Sequence, residues 1–291
     1  GRRVTRASRL RPHFICLGAP RSGTTWLDVN LRRHPGIFLA QKEIHFFSPF
    51  RSYDFYASEG YPWYEDFFAD APEGAVRGEV AIHYLASETA RARIAADRPA
   101  DRFIVMLRNP VERFNSIYEY LAGRRDVSGG LSDFAEDSRG RHQLMTGFYD
   151  RHLSAWEAAC PWAEFCVMLQ DDIAADPAGT YRRICRFVGA DESFVPPEVA
   201  DRVNEAHAVR SGALRRFVSN VAMALSARSL SWVKGPLKAS GLPAVISRLN
   251  KGERFRSPLA PEDRAWLVAH YSDDIIALEQ RLGRDLSHWR Q

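Results

Sequence analysis

An apolar run, Phe14-Ile15-Cys16-Leu17, passes without a break into Gly18-Ala19-Pro20-Arg21-Ser22-Gly23-Thr24-Thr25-Trp26 and then into a segment of helical period, Leu27 to Arg33. A buried strand that turns through glycines into a helix opens a β-α-β unit, and it commits the chain to a sheet whose faces are covered by helices. Three further apolar runs bounded by turn residues, Ala75 to Ala81, Phe103 to Leu107 and Glu164 to Leu169, read as buried strands. Glu88 to Ala96, Pro110 to Leu121, Gly147 to Ala159 and Ala178 to Val188 have helical period. The alternation predicts an α/β fold with a central parallel sheet flanked by helices. No internal repeat or low-complexity linker divides the chain, so residues 13–291 are expected to form a single domain behind a basic tail, 1–12.

Residues 207–247 lack strand signals and mix apolar residues with Arg and Ser, which reads as a helical lid segment or an ordinary helical cover. The last helix is expected at Pro261 to Leu282. Proline stands in its first turn, and Leu267, Val268, Tyr271, Ile275 and Leu278 form one core-facing stripe.

Charge narrows the partners. The formal net charge is +4, but residues 1–11 hold five arginines and no acid, so the body of the chain is close to neutral. A nucleic-acid binder needs a broad basic face, and none is indicated here. Cys16, Cys160, Cys166 and Cys185 show neither C-x-x-C pairing nor zinc-ligand spacing, so free thiols and no metal are expected. No stretch reaches the roughly 18 apolar residues of a membrane span, and no apolar segment follows the basic start closely. The reading is a cytoplasmic enzyme.

The turn after the first strand is built for an anion. Backbone N–H groups converge there, and the helix start adds about half a positive charge. Gly18-x4-Gly23 fits the front of a nucleoside-triphosphatase loop, yet Thr24 stands where lysine would precede Ser/Thr, and the cation is Arg21 within the turn. Asp171, after the last strand, is only a loose candidate for the Mg²⁺ ligand such an enzyme requires. A P-loop kinase or NTPase, and a nucleotide-binding module without catalysis, remain as alternatives.

Pro20-Arg21-Ser22-Gly23-Thr24-Thr25-Trp26 resembles the 5′-phosphosulfate loop of the sulfotransferases that use 3′-phosphoadenosine-5′-phosphosulfate (PAPS). The resemblance implies a P-loop-like three-layer fold, with Arg21, Gly23, Thr24 and Thr25 holding the phosphosulfate and Trp26 stacking on adenine. Arg108-Asn109-Pro110, followed by Arg113 and Ser116, is similar to the family's 3′-phosphate motif. Arg108 and Ser116 are thereby implied as contacts to that phosphate, while Arg113 also reads as a surface or salt-bridged arginine. Lys251-Gly252, with Arg254 as a weaker companion, resembles the family's closing loop over the same phosphate.

Lys42-Glu43-Ile44-His45-Phe46-Phe47 is similar to a segment of the carbohydrate sulfotransferases, the heparan-type enzymes and their bacterial relatives in particular. In an extended segment Glu43 and His45, two apart, point to one side. Sulfuryl transfer to an alcohol needs a base for the hydroxyl proton and cations for the leaving phosphate oxygen. The resemblance implies Glu43 as base, His45 as its partner and Arg21 as the leaving-group cation, with a carbohydrate, glycolipid or small-molecule acceptor. Gly147 to Trp156 resembles the family helix with a tyrosine and an L-x-x-W pair, so Tyr149 is implied near nucleotide or acceptor and Leu153 and Trp156 in the core. The chain departs from the heparan type at Glu79-Val80, where those enzymes carry lysine after glutamate, and it lacks their C-terminal cysteine pair. His83 and Lys42 are the candidates to replace the missing cation, and heparan itself is in doubt as acceptor.

Overall fold

In a computed structural model, the described residues are 10–50, 53–124, 126–127, 129–201 and 256–291. They fall into two compact units, those within 1–113, 144–204 and 266–291 and those within 114–143 and 205–265.

The first unit is built on five parallel strands, β1 (Phe14–Gly18), β2 (Ile37–Leu39), β3 (Val76–Val80), β4 (Arg102–Leu107) and β5 (Glu164–Leu169), in the order β2-β3-β1-β4-β5. Alternate side chains of each strand serve opposite faces. Phe14, Cys16, Val80, Ile104, Met106, Cys166 and Met168 share one core cluster with Trp26, Leu27 and Leu31 of α1 (Thr24–Arg32) and Tyr181, Ile184, Cys185 and Val188 of α10 (Pro177–Val188). On the other face the Phe103 ring packs 5.7 Å from Trp156 of α8 (Tyr149–Ala159). The core is therefore a sheet between two helical layers. Gly78 lets the Phe14 ring lie flat across β3, since a Cβ there would fall 2.1 Å from Phe14 Cζ.

Local chemistry sets the helix ends. Ser87 caps α4 (Glu88–Asp97) by accepting from Ala90 N–H. Asp176 caps α10 ahead of Pro177, and Gly189 ends it at φ 80°. Short helices α2 (Phe55–Ser58), α3 (Gly60–Asp66) and α9 (Gln170–Ala175) complete the unit's connections. Three helices run across the boundary between units: α5 (Pro110–Gly123), α7 (Ser138–Met145) and α11 (Pro261–Leu282). Leu267, Tyr271, Ile275 and Leu278 of α11 are buried as the stripe requires, whereas Val268 is half-buried. In the second unit, Phe134 of α6 (Leu131–Glu136) stacks on Phe114, Tyr118 donates to the Gly129 carbonyl, and Ser257 N–H donates to Glu119.

The four cysteines are buried free thiols. No helix among the described residues is long and apolar enough to cross a membrane. Residues 207–247 lie outside the described residues, as do Lys251, Gly252 and Arg254.

Candidate active site

The strand order makes the chain leave β1 toward one edge of the sheet and β4 toward the other, and such a reversal opens a crevice at the carboxyl ends of the strands. The loop from Gly18 to Gly23 sits there, tied to β4 by Ala19 N–H donating to Met106 O at 2.8 Å. Gly18, Arg21 and Gly23 have φ of 126°, 65° and 94°, so the loop is coiled rather than extended. Gly23 N-caps α1 without a side chain, and no acid stands in the first turn, which leaves the positive helix end for an external anion. Ser22 Oγ is buried beside the Tyr149 hydroxyl. The uncapped helix start fits a bound anionic group. Pro20 is buried behind the loop, Thr24 is buried, and Arg21 and Thr25 are partly exposed.

Glu43 and His45 reach this loop by a backbone different from the extended one expected. Both lie at positive φ, 63° and 58°, and with Arg21 they make up three of the four non-glycine residues of that kind among the described ones. Left-handed φ is costly for such residues and persists where the surroundings enforce it. Here Glu43 N–H donates to Val80 O, and Ile44 and Phe46 are sunk in the core. The coiled path still sends the two polar side chains the same way, with His45 Nε2 3.8 Å from Glu43 Oε2. Burial raises the Glu43 carboxyl above its ordinary value, Lys42 opposing and Asp28 reinforcing the shift. Burial also lowers His45, so the imidazole is neutral near pH 7. Val80 is itself buried in the core, and Lys42 reaches the anion loop. Its Nζ donates to Thr25 Oγ1 at 3.0 Å, which brings the carboxylate segment and the anion loop together. His83 instead stacks beside His45, with centroids 5.9 Å apart.

A buried acid underpins that segment. Glu79 of β3 accepts from Tyr64 OH at 2.5 Å and Tyr84 OH at 2.8 Å, and Tyr84 OH in turn accepts from Phe47 N–H. Burial pushes its pKa up to about 7, against the two phenols, from an ordinary 4.5. The folded state thus holds the proton more tightly than the unfolded chain. The stabilisation is full below pH 4.5 and is lost as pH rises through about 7, a change of about 3 kcal/mol. Denaturant unfolding of the wild type and Glu79→Gln at about pH 4.5 and pH 8 should show that slope in the wild type and lose it in the variant. Equal slopes in both proteins would assign the pH dependence elsewhere.

Arg108 follows β4 directly, its side chain partly exposed and 4.0 Å from Glu112. Tyr149 is fully buried, and its hydroxyl donates to the Arg108 carbonyl at 2.9 Å, which braces the backbone at that arginine. Trp26 departs from expectation. Its ring is 5% exposed within the core cluster and its indole N–H donates to Val199 O at 2.7 Å, which leaves no face for adenine. Arg113 is buried in full, not on the surface, and lies beside Tyr149 and Tyr271. Ser116 is buried on α5, in the second unit. Asp171 accepts from Trp289 Nε1 at 2.9 Å and pairs with His288, which ties it to the C-terminal turn.

A family model described as a sulfotransferase domain matches residues 11–208. Mouse heparan sulfate glucosamine 3-O-sulfotransferase 3A1 is 31% identical over 194 residues, covering 62% of this chain and 47% of the relative. Mouse bifunctional heparan sulfate N-deacetylase/N-sulfotransferase 4 is 24% identical, covering 96% of this chain and 31% of that protein. The chain thus spans about half the length, or less, of these curated relatives. The crystal structure of a sulfotransferase from Alicyclobacillus acidocaldarius matches with a TM-score of 0.66 over 97% of this chain and 99% of that one, at 24% identity, a likeness of fold.

Proposed function

We propose that this chain, which belongs to the sulfotransferase domain family, transfers the sulfuryl group of PAPS to a hydroxyl of a carbohydrate, glycolipid or small-molecule acceptor. The observation that carries the reading is the Lys42–Thr25 contact, because it ties the segment that carries Glu43 to the anion-binding loop. Glu43 takes the acceptor's proton as the acceptor oxygen bonds to sulfur. The bond from sulfur to the 5′-phosphate oxygen breaks in line, and 3′-phosphoadenosine 5′-phosphate departs. Arg21, the α1 N-terminus and the Ser22 and Thr24 hydroxyls face the charge that grows on that oxygen, and Lys42 adds a cation on the Thr25 side. Neutral His45 orients Glu43. Arg108 is assigned to the 3′-phosphate, an end that a charge-assisted contact suits. The relatives' names specify O-sulfation and N-sulfation of heparan sulfate, which supports the reaction class.

The test is transfer of labelled sulfate from PAPS to a panel of hydroxyl acceptors, with ATP and Mg²⁺ as the competing donor. PAPS-dependent labelling is the expected result. ATP turnover independent of PAPS would replace this reading with a kinase or NTPase, and nucleotide binding without transfer to any acceptor would leave a binding module.

A further inference from the structure

Beside the Glu43–His45 pair lies a run of aromatic rings that the chemistry above does not use. The His45 ring stacks on Phe50 at 4.1 Å and an interplanar angle of 15°. Phe50 and Tyr53 exchange both backbone hydrogen bonds. From Tyr53 the series continues to Phe55 at 4.6 Å, and from Phe55 to Trp63 at 4.7 Å with the two rings nearly parallel. Phe50 and Tyr53 are 38% and 43% exposed and Phe55 and Trp63 half-buried at their border, whereas Phe46, Phe47 and Tyr64 are buried in full. The buried rings are the floor and the exposed ones a shelf. Large apolar side chains held at a surface next to reactive groups mark a binding face.

The charge around the shelf selects among acceptors. Residues 53–74 carry six acids (Asp54, Glu59, Glu65, Asp66, Asp70 and Glu73) and no lysine or arginine. Arg93 answers one of them, Asp54, at 2.6 Å. Arg51, next to Phe50 in sequence, lies outside the described residues. Among the described residues, a sulfated polysaccharide laid against Tyr53 would meet Glu59, which accepts from the Tyr53 hydroxyl, and like-charge juxtaposition rejects a partner.

We infer that the acceptor is an uncharged hydroxyl compound with a flat apolar face, which stacks on Phe50, Tyr53 and Trp63 while its hydroxyl reaches Glu43, and that it is not a polyanion of the heparan type. The hydroxyl's place at Glu43 rests on the function proposed above; the shelf itself does not.

The experiment uses 4-methylumbelliferyl glucoside as the neutral probe and a heparan sulfate octasaccharide as the polyanion. Each is titrated calorimetrically into the full chain saturated with 3′-phosphoadenosine 5′-phosphate, and each is assayed as acceptor with PAPS. The glucoside should bind and the octasaccharide should not. Tyr53→Ala and Trp63→Leu should each weaken glucoside binding, and raise its KM, about tenfold, with kcat and nucleotide affinity within about threefold. Conservative Tyr53→Phe should bind as the wild type does. Octasaccharide binding equal to or tighter than that of the glucoside, or glucoside affinity indifferent to both substitutions, overturns the shelf. Glucoside binding that depends on the shelf, without transfer from PAPS, keeps this inference and sinks the proposed reaction instead.

Discussion

Glu43→Gln should lower kcat for sulfation by about a thousandfold while affinity for 3′-phosphoadenosine 5′-phosphate stays within about threefold. Glutamine preserves the size of the side chain and its reach toward His45, and it removes only the capacity to accept a proton. The carboxylate is suited to that task because burial raises its pKa, so it holds a proton more firmly than an exposed glutamate does. The same shift fixes a pH signature. A base must be ionised to act, so activity falls as pH drops through the Glu43 pKa, and the acid limb of the kcat/KM profile should lie above the ordinary 4.5. Single-turnover transfer rates and nucleotide titration on both proteins check the two halves of the expectation. Sulfation by Glu43→Gln within about threefold of the wild type would remove Glu43 from the chemistry, and an acid limb at or below 4.5 would remove the argument from burial.

The sequence made the sheet legible where its strands were long enough to show themselves. Phe14 to Leu17 and Phe103 to Leu107 are continuous apolar runs, as strands covered on both faces must be. Ile37-Phe38-Leu39 was invisible because three residues between Gly36 and Ala40 carry no readable period, and their strand exists only through pairing with Val76 to Gly78. The short helices at 55–58 and 60–66 escaped for the same reason. Motif order singled out the loop, the carboxylate and Arg108, and the structure puts Gly18 to Gly23 directly after β1 and Arg108 directly after β4. Motif order could not show that Lys42 meets Thr25, seventeen positions away, since that contact is made by the fold. Trp26 was readable and misread: Trp26 and Asn30, with Leu27 and Leu31, form one helical stripe, and that spacing places the ring in the core where the structure has it. Tyr149 shows the limit of a motif, which finds a residue near a site without saying whether it touches ligand or neighbour.

Gly18→Ala should destabilise the first unit by about 3 kcal/mol or more and abolish nucleotide binding at micromolar concentrations. Two costs act together at this position. At φ 126° an L-residue is strained whatever space surrounds it. The added Cβ would also stand 2.6 Å from Ile82 O and 3.1 Å from Ile82 C, and these are backbone atoms that no side-chain rotation can move aside. Relief requires the segment after β3 to shift, and that segment carries His83, stacked beside His45, and Tyr84, which bonds Glu79 and the Phe47 N–H. The substitution therefore strikes the Gly18–Gly23 loop and the support of the Glu43–His45 segment at once. Gly74→Ala separates the two costs, since Gly74 has φ 78° but nothing within 4 Å of its added Cβ. It should lose about 1 kcal/mol and keep full activity. Urea midpoints and nucleotide titrations on the two variants decide the matter. If Gly18→Ala tracks Gly74→Ala in both measurements, close approach of the loop to Ile82 is not what holds the anion site in shape.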